Sequence, residues 1–178
     1  MNQLDIRSSA LFPEVKLITP PVFRDERGEF VETFCINKYD FKDRAGQKLV
    51  FKEDDISVSR KNVLRGLHGD KVTWKLIQCV YGEVFFALAD LNPASPTYLK
   101  TETFILNDTN RLQVLVPPFF VNGYYCLSEQ CVFAYKQTET YSGAGNQIAV
   151  RWNDPGLAIS WPAIQPLMSQ RDIAAPGV

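Results

Sequence analysis

The chain alternates between short apolar runs, rich in β-branched and aromatic residues, and clusters of turn residues. Runs of this length and composition are typical of β-strands. The pattern predicts strands at residues 15–18, 30–34, 56–60, 63–68, 76–81, 83–91, 100–106, 111–116, 123–127, 131–137 and 149–152. It favours helix only at residues 37–44 and 165–172, and residues 174–178 are expected to form a frayed tail. We therefore predict an all-β fold with short peripheral helices.

The run at residues 83–91 is apolar at both parities, with Val84 and Phe86 on one face of the predicted strand and Phe85 and Ala87 on the other. Neither face can be left to water, so the strand needs a packed layer on each side. Further along, Pro117 must end the strand before it, because proline has no N–H to donate to a neighbouring strand. An antiparallel β-barrel of the cupin or jelly-roll type, with irregular ends, suits these features.

With 178 residues, of which 46% are hydrophobic, the chain can fill one core but is short for two, so we predict a single domain over residues 1–178. Lysine and arginine number 19, aspartate and glutamate number 20, and no long run of either sign occurs. Nucleic acid is therefore not an expected partner, since binding to its phosphates normally needs a basic surplus. No apolar run reaches membrane-spanning length and no secretory pattern opens the chain. These observations predict a soluble cytoplasmic protein with no membrane partner.

The four cysteines include no Cys-x-x-Cys pair, and three of them lie in apolar, strand-like runs. Small buried core residues are therefore a better interpretation than disulfides or a metal site. The four are Cys35, Cys79, Cys126 and Cys131.

His68 is the only histidine of the chain and ends the predicted strand at residues 63–68. The unperturbed pKa of an imidazole is about 6.5, so this side chain can act as a base near neutral pH and hold the proton afterwards. A single histidine excludes the β-barrel metalloenzymes that bind their ion with two or three imidazoles. We therefore predict no metal and no cofactor. A lone histidine is nevertheless more often a structural, hydrogen-bonded residue than a catalyst.

Charged residues crowd around His68 in the sequence and favour a functional role for it. The basic ones are Arg60, Lys61, Arg65, Lys71 and Lys75, and the acidic ones upstream are Glu53, Asp54 and Asp55. Arg65 and His68 have opposite parity, so on a regular strand they would face opposite sides. Gly66 between them permits a bulge that re-aims one of the two, a feature often found beside active sites.

Six ordered segments between residues 20 and 172 form a specific combination. They read FRDERGEF at 23–30, VLRGLH at 63–68, KL at 75–76 with GEVF at 82–85, ASPT at 94–97, FAYK at 133–136, and RWNDP at 151–155 with ISWP at 159–162. Together they resemble the dTDP-4-dehydrorhamnose 3,5-epimerase family, the RmlC-like cupins. That family inverts C3, C5 or both in nucleotide-linked 4-keto sugars, without a metal or redox cofactor.

The resemblance implies catalytic roles for four residues. His68 is the base that removes a proton beside the C4 ketone, and Tyr135 is the acid on the opposite face of the sugar. Asp172, in Ser169-Gln170-Arg171-Asp172, orients the histidine, and Lys75 stabilises charge on the C4 oxygen. Without the resemblance, Lys75 would be a solvated strand-end lysine, Tyr135 a half-buried rim residue and Asp172 a surface carboxylate.

The resemblance also implies substrate contacts. Arg27 and Arg65 match residues that bind the nucleotide diphosphate, for which the forked guanidinium is suited, and Glu32 matches an acceptor on the nucleotide side. Three further binding residues are expected where the chain departs from the family's pattern. Asp55 ends Glu53-Asp54-Asp55, where common members have Gln-Asp-Asn; Asn122 replaces a second histidine; and Tyr141 follows Thr140, which aligns with a tyrosine near the sugar.

We therefore predict a metal-independent epimerase that inverts C3, C5 or both in a nucleotide-diphosphate-linked 4-keto 6-deoxy sugar for cell-surface polysaccharide. Two alternatives stay open: a ketoisomerase that moves the keto group between C4 and C3, and a sugar-nucleotide-binding cupin without catalysis. The acid–base residues speak against the second alternative, whereas Asn122 keeps it open. The expected partners are the sugar nucleotide and a second copy of the chain, since apolar strand faces are in surplus and the family dimerises through exchanged N-terminal strands.

Overall fold

The computed structural model describes residues 3–163 and 165–178, and this part of the chain is almost entirely β-structure. Its strands are β1 (Asp5–Ser8), β2 (Lys16–Thr19), β3 (Val22–Asp25), β4 (Gly28–Val31), β5 (Glu53–Arg60), β6 (Leu64–Gly69), β7 (Lys75–Tyr81), β8 (Glu83–Asp90), β9 (Thr101–Asn107), β10 (Gln113–Val116), β11 (Phe120–Cys126), β12 (Gln130–Gln137) and β13 (Ile148–Ala149). Helical structure in these residues is limited to a 3₁₀ turn, Ala144–Asn146, and a short helix, α1 (Gln170–Ile173). The all-β prediction is confirmed. None of the described helices is long and apolar enough to span a membrane.

Two large antiparallel sheets face each other. The six-stranded sheet has the order β1-β2-β10-β7-β12-β5, and the five-stranded sheet has the order β13-β6-β11-β8-β9. Strands β3 and β4 form a separate hairpin. The core between the sheets includes Ile77 and Phe133 from the six-stranded sheet and Phe86 and Tyr124 from the five-stranded sheet. This arrangement leaves the inner faces of both sheets as the walls of any cavity between them.

Strand β8 is covered on both faces, as its apolar pattern predicts. Val84 and Phe86 are fully buried in the core between the sheets. On the other face, Ala87 is also fully buried, and the ring of Phe85 lies 5.3 Å from the ring of Trp161. The chain after β13 therefore supplies the second layer on the outside of the five-stranded sheet.

The helix expected at residues 37–44 is wrong, because this stretch forms a turn and an isolated bridge between Lys42 and Lys48. Tyr39 and Phe41 are both buried in one cluster with Trp74 on the outside of the six-stranded sheet. Two residues that are two positions apart share a face in an extended chain but point to opposite sides of a helix. Burying both rings therefore requires extended backbone.

Strands β1 and β3 are absent from the sequence-based prediction. All four residues of β1 are exposed, and β3 has a single partly buried residue. Neither strand therefore shows the alternation of apolar and polar residues that reveals a half-buried strand.

The C-terminal region also differs from its prediction. Of the helix expected at residues 165–172, only α1 forms, and the hydroxyl of Ser169 caps it by accepting a hydrogen bond from the Asp172 N–H at 3.1 Å. The expectation of a frayed tail is wrong, since Pro176 accepts a hydrogen bond from the Arg151 N–H at 2.8 Å. The Val178 N–H further donates to Asp154 Oδ2 at 3.3 Å. These bonds fasten the tail to the loop after β13.

The four cysteines are free thiols. Cys79, Cys126 and Cys131 are buried and belong to the core between the sheets, whereas Cys35 is half-buried. The core interpretation is confirmed for the first three.

Candidate active site

A cavity of about 640 Å³ lies between the two sheets. Strands β6 and β11 supply one wall, β5, β7 and β12 supply the other, and the segment that leads into α1 closes one side. The cavity brings together six of the predicted site residues, namely Arg65, His68, Lys75, Asn122, Tyr135 and Asp172.

His68 and Asp172 form a hydrogen-bonded pair in this cavity. His68 Nε2 lies 2.6 Å from Asp172 Oδ1, and the Asp172 side chain is only 5% exposed. Burial alone would raise the pKa of the Asp172 carboxyl, but the hydrogen bond and the charge interaction with His68 outweigh it and hold that pKa below its usual value. Asp172 is thus a fixed anion that sets the orientation of the imidazole.

A bulge brings Arg65 and His68 to the same cavity despite their opposite parity. Asn122 of β11 pairs with His68 and Tyr124 pairs with Arg65, with a shift of register between the two pairs. Gly66 lies at the shift with a φ of +125°, and a Cβ atom there would be 2.5 Å from the Cα of Gly123. The close approach of the two backbones therefore requires glycine at residue 66.

Lys75 and Tyr135 come from the sheet that faces His68. Lys75 is 8% exposed, and burial lowers the pKa of its ammonium. Burial also raises the pKa of the Tyr135 phenol, to about 12, and the charge of nearby Asp55 adds to the shift. The ammonium lies 6.0 Å from the centre of the Tyr135 ring. The Tyr135 phenol therefore keeps its proton at neutral pH. The neighbouring Lys75 ammonium has no hydrogen bond to a carboxylate among the described residues.

The strand register aligns two acidic residues with this pair. Asp55 stands opposite Tyr135, and Glu53 stands opposite Gln137, which in turn faces Lys75. Directly opposed residues share one face of a sheet. Gln137 Nε2 donates to Glu53 Oε1 at 2.7 Å and lies 3.3 Å from Asp55 Oδ2. Asp55 does not line the cavity itself, but it stands on the same face as the residues that do.

Asn122 lies directly opposite His68 on the neighbouring strand. Its Oδ1 is buried and has no hydrogen-bond partner among the described residues. A buried acceptor without a partner costs about 1–3 kcal/mol, so a donor from a bound ligand would restore that loss. The amide is therefore positioned to contact a molecule in the cavity.

Besides Asp55, three predicted binding residues lie outside this cavity. Arg27, at the tip of the β3–β4 hairpin, pairs with Asp25, and Glu32 pairs with Lys38 at 2.7 Å. Tyr141 lines a separate cavity of about 380 Å³.

The cavity also contains residues that the sequence analysis did not select. Among them are the cations Arg60 and Arg171 and the hydroxyl residues Ser57 and Tyr124. Arg171 Nη2 donates to Gln147 Oε1 at 2.8 Å. Arg171 could have been predicted as a site residue, because it precedes the predicted Asp172 in the sequence. Ser57 and Tyr124 could not, because only the packing of the two sheets brings them together.

Within residues 3–163 and 165–178, no three or more histidine, cysteine, aspartate or glutamate side chains are grouped so that they could hold a metal ion. The groups present in the cavity are instead suited to proton transfer. They comprise an oriented imidazole, a protonated phenol on the facing sheet, a buried ammonium and guanidinium groups.

Comparisons with known proteins place the chain in one family. The family model described as dTDP-4-dehydrorhamnose 3,5-epimerase matches residues 9–178. The dTDP-4-dehydrorhamnose 3,5-epimerase of Salmonella typhimurium is 40% identical over 168 residues, which cover 92% of this chain and 90% of the relative. The dTDP-4-dehydrorhamnose 3-epimerase of Streptomyces niveus is 34% identical over 158 residues, which cover 87% of this chain and 75% of the relative.

The chain is also similar to a solved structure of the same kind of enzyme. That structure is the dTDP-6-deoxy-D-glucose-3,5-epimerase of Legionella pneumophila in complex with dTDP-4-keto-L-rhamnose, at 35% identity and a TM-score of 0.90. The similarity covers 98% of this chain and 93% of that one.

Proposed function

Because the chain belongs to the dTDP-4-dehydrorhamnose 3,5-epimerase family, we propose that it inverts C3, C5 or both in a nucleotide-diphosphate-linked 4-keto sugar. The observation that carries this proposal is the placement of His68 and Tyr135 on facing sheets in one cavity. Inversion of a carbon centre needs a base on one face of the sugar and an acid on the other.

The acid–base steps follow from the chemistry of the ketone. The C4 carbonyl acidifies the protons on C3 and C5, and His68, held by Asp172, takes one of them. An enolate forms, and Tyr135 donates its phenolic proton to the opposite face of the same carbon. The raised pKa of Tyr135 keeps this proton available at neutral pH, and the enolate is basic enough to accept it.

Lys75 stabilises the negative charge that develops on the C4 oxygen. Its ammonium is buried beside Tyr135 and has no hydrogen-bonded carboxylate among the described residues to neutralise it. A fixed cation in such a site stabilises the enolate more than it stabilises the neutral ketone, and this difference raises the rate.

Guanidinium groups at the cavity suit the diphosphate of the substrate. Arg65, Arg60 and Arg171 all line the cavity, and arginine binds phosphate oxygens through two parallel N–H donors. Asn122 and Asp55 are proposed to contact the sugar, and Tyr141 to contact the substrate from the neighbouring cavity.

A homodimer gives a role to Arg27 and Glu32, which line neither of the two cavities. Strand β5 is an edge strand on which Ile56 is 70% exposed, and the β3–β4 hairpin carries Phe30 at 67% exposure. Exposed apolar edges of this kind favour pairing with another chain. We propose that a second copy covers them and that the hairpin delivers Arg27 and Glu32 to the partner's cavity.

The two sheets are proposed to be the halves of a cupin jelly roll. A single domain over residues 1–178 and a cytoplasmic location stay predictions.

The function is tested by incubation in D₂O with dTDP-, GDP- and CDP-linked 4-keto hexoses and heptoses, followed by NMR. We expect the C3 proton, the C5 proton or both to be replaced by deuterium with inversion of that carbon. Migration of the keto group to C3 would identify a ketoisomerase. Binding without any exchange would identify a sugar-nucleotide-binding protein and contradict the proposal.

A further inference from the structure

Tyr124 connects the two walls of the cavity through its hydroxyl. It lies on β11 of the five-stranded sheet and is 3% exposed, with its ring stacked 4.1 Å from that of Phe133. Its Oη lies 2.7 Å from Ser57 Oγ and 2.9 Å from Ser59 Oγ, and both serines belong to β5 of the facing sheet. The phenol therefore bridges the sheets instead of pointing freely into the cavity.

Arg65 of the five-stranded sheet is hydrogen-bonded to one of these serines, Ser59. Its Nε donates to Ser59 Oγ at 3.0 Å, and its Nη2 lies 3.4 Å from the carbonyl oxygen of Val58. Two contacts on one strand fix the plane of the guanidinium. Its Nη1 has no hydrogen-bond partner among the described residues and stays available to a ligand in the cavity.

The donor chemistry fixes the first bond of this chain of hydrogen bonds and favours one direction for the rest. A guanidinium can only donate, so Ser59 Oγ accepts from Arg65 and still has its own hydrogen to give. If Ser59 donates to Tyr124 and Tyr124 donates to Ser57, both of these hydroxyl hydrogens find an acceptor. The hydrogen of Ser57 is then left to donate into the cavity, which Ser57 lines.

We propose that Tyr124 is a positioning residue that holds Arg65 and Ser57 in place for the diphosphate of the bound sugar nucleotide. This inference rests on the proposed function, which supplies the anionic ligand. The cavity cations carry the charge that attracts the diphosphate, and the relay from Arg65 through Ser59 and Tyr124 to Ser57 gives the donors a defined geometry. Connected hydrogen bonds of this kind are stronger together than separately.

Tyr124 has a role distinct from that of Tyr135. Tyr135 lies on β12, on the sheet opposite Tyr124 and its hydroxyl. The hydroxyl is already engaged by two serines, whereas the acid of the reaction needs a proton that it can release to the sugar.

The test uses Tyr124→Phe, which removes only the hydroxyl, and Tyr125→Phe as the matched control. Tyr125 is the next residue on the same strand and donates to Asn62 Oδ1 at 2.7 Å, outside the cavity. Binding of dTDP, GDP and CDP is measured by calorimetry, and deuterium exchange into the 4-keto substrate gives KM and kcat. We expect Tyr124→Phe to raise Kd and KM about fivefold, the effect of one hydrogen bond, with kcat changed less than about twofold. The control should match the wild type.

A second variant tests whether Tyr124 acts through the serine. Ser59→Ala should raise Kd to a similar extent, and the double variant should bind no more weakly than either single variant, because all three break the same relay. Unchanged binding by Tyr124→Phe, or a loss of kcat at unchanged Kd, would overturn the positioning role alone. Failure of the wild type to bind any of the nucleoside diphosphates would overturn both this inference and the proposed function.

Discussion

Replacing Asp172 by asparagine is the most direct test of the base. The variant keeps the size of the side chain but removes the charge that His68 contacts at 2.6 Å. Because Asp172 is 5% exposed, water cannot replace the lost carboxylate. The imidazole should therefore stay in the cavity while losing the anion that orients it.

The magnitude follows from this single contact. A hydrogen bond to a charged group contributes about 1.5–3 kcal/mol, and each 1.36 kcal/mol changes a rate about tenfold. We therefore expect Asp172→Asn to lower the rate of deuterium exchange about ten- to hundredfold. Loss of the base itself in His68→Asn should cost about a hundred- to ten-thousandfold, so Asp172→Asn is expected to lie between that variant and the wild type.

The assay measures kcat for exchange in D₂O at saturating substrate, and Asp154→Asn serves as its control. The Asp154 side chain is also 5% exposed and pairs with Arg151 Nε at 3.1 Å, away from the cavity. Asp154→Asn should lower the melting temperature and leave kcat unchanged. Exchange by Asp172→Asn within about twofold of the wild-type rate, or an equal loss of kcat in both variants, would refute the role of Asp172.

Four further predictions follow from the site and the sheets. Tyr135→Phe should still place deuterium in the substrate but with little change of configuration, and NMR showing inversion at the wild-type rate would contradict the two-face mechanism. Lys75→Met should lower kcat about a hundredfold or more, while the melting temperature stays equal or rises because a buried charge is removed; unchanged kcat would contradict its role. Gly66→Ala should lower the free energy of unfolding in urea by about 2 kcal/mol or more, whereas Gly145→Ala, which meets no atom within 4 Å, should not; equal effects would contradict the close approach. The wild type should sediment as a dimer and Ile56→Glu as a monomer, and a monomeric wild type at micromolar concentration would contradict the dimer.

The sequence predicts best those elements whose structure follows from neighbouring residues or whose two faces are both buried. The apolar residues on both faces of β8 require two covering layers, and the structure contains them. Gly66 marks the bulge that brings Arg65 and His68 together, as its place between residues of opposite parity suggests. In both cases residues that are close in sequence determine the local structure, so it can be predicted without knowledge of the fold.

Elements whose structure depends on residues far away in the sequence cannot be predicted in this way. Strand β1 has no buried residue, so only its pairing with β2 defines it. The stretch at residues 37–44 is extended because the outer face of the six-stranded sheet accepts both Tyr39 and Phe41. Among site residues, Tyr124 meets Ser59 from the facing sheet, 65 positions earlier in the chain. Its hydroxyl therefore gives no signal in the local sequence.

The separation of His68 and Asp172 has a consequence for how the protein is made. The two residues are 104 positions apart, and Asp172 follows every described strand. During synthesis the N-terminal parts of a chain can begin to fold before the later parts emerge. Both sheets can thus assemble around the cavity while His68 still lacks its carboxylate partner. The oriented base is then completed last, and chains that terminate before residue 172 would lack the anion that holds His68 in place.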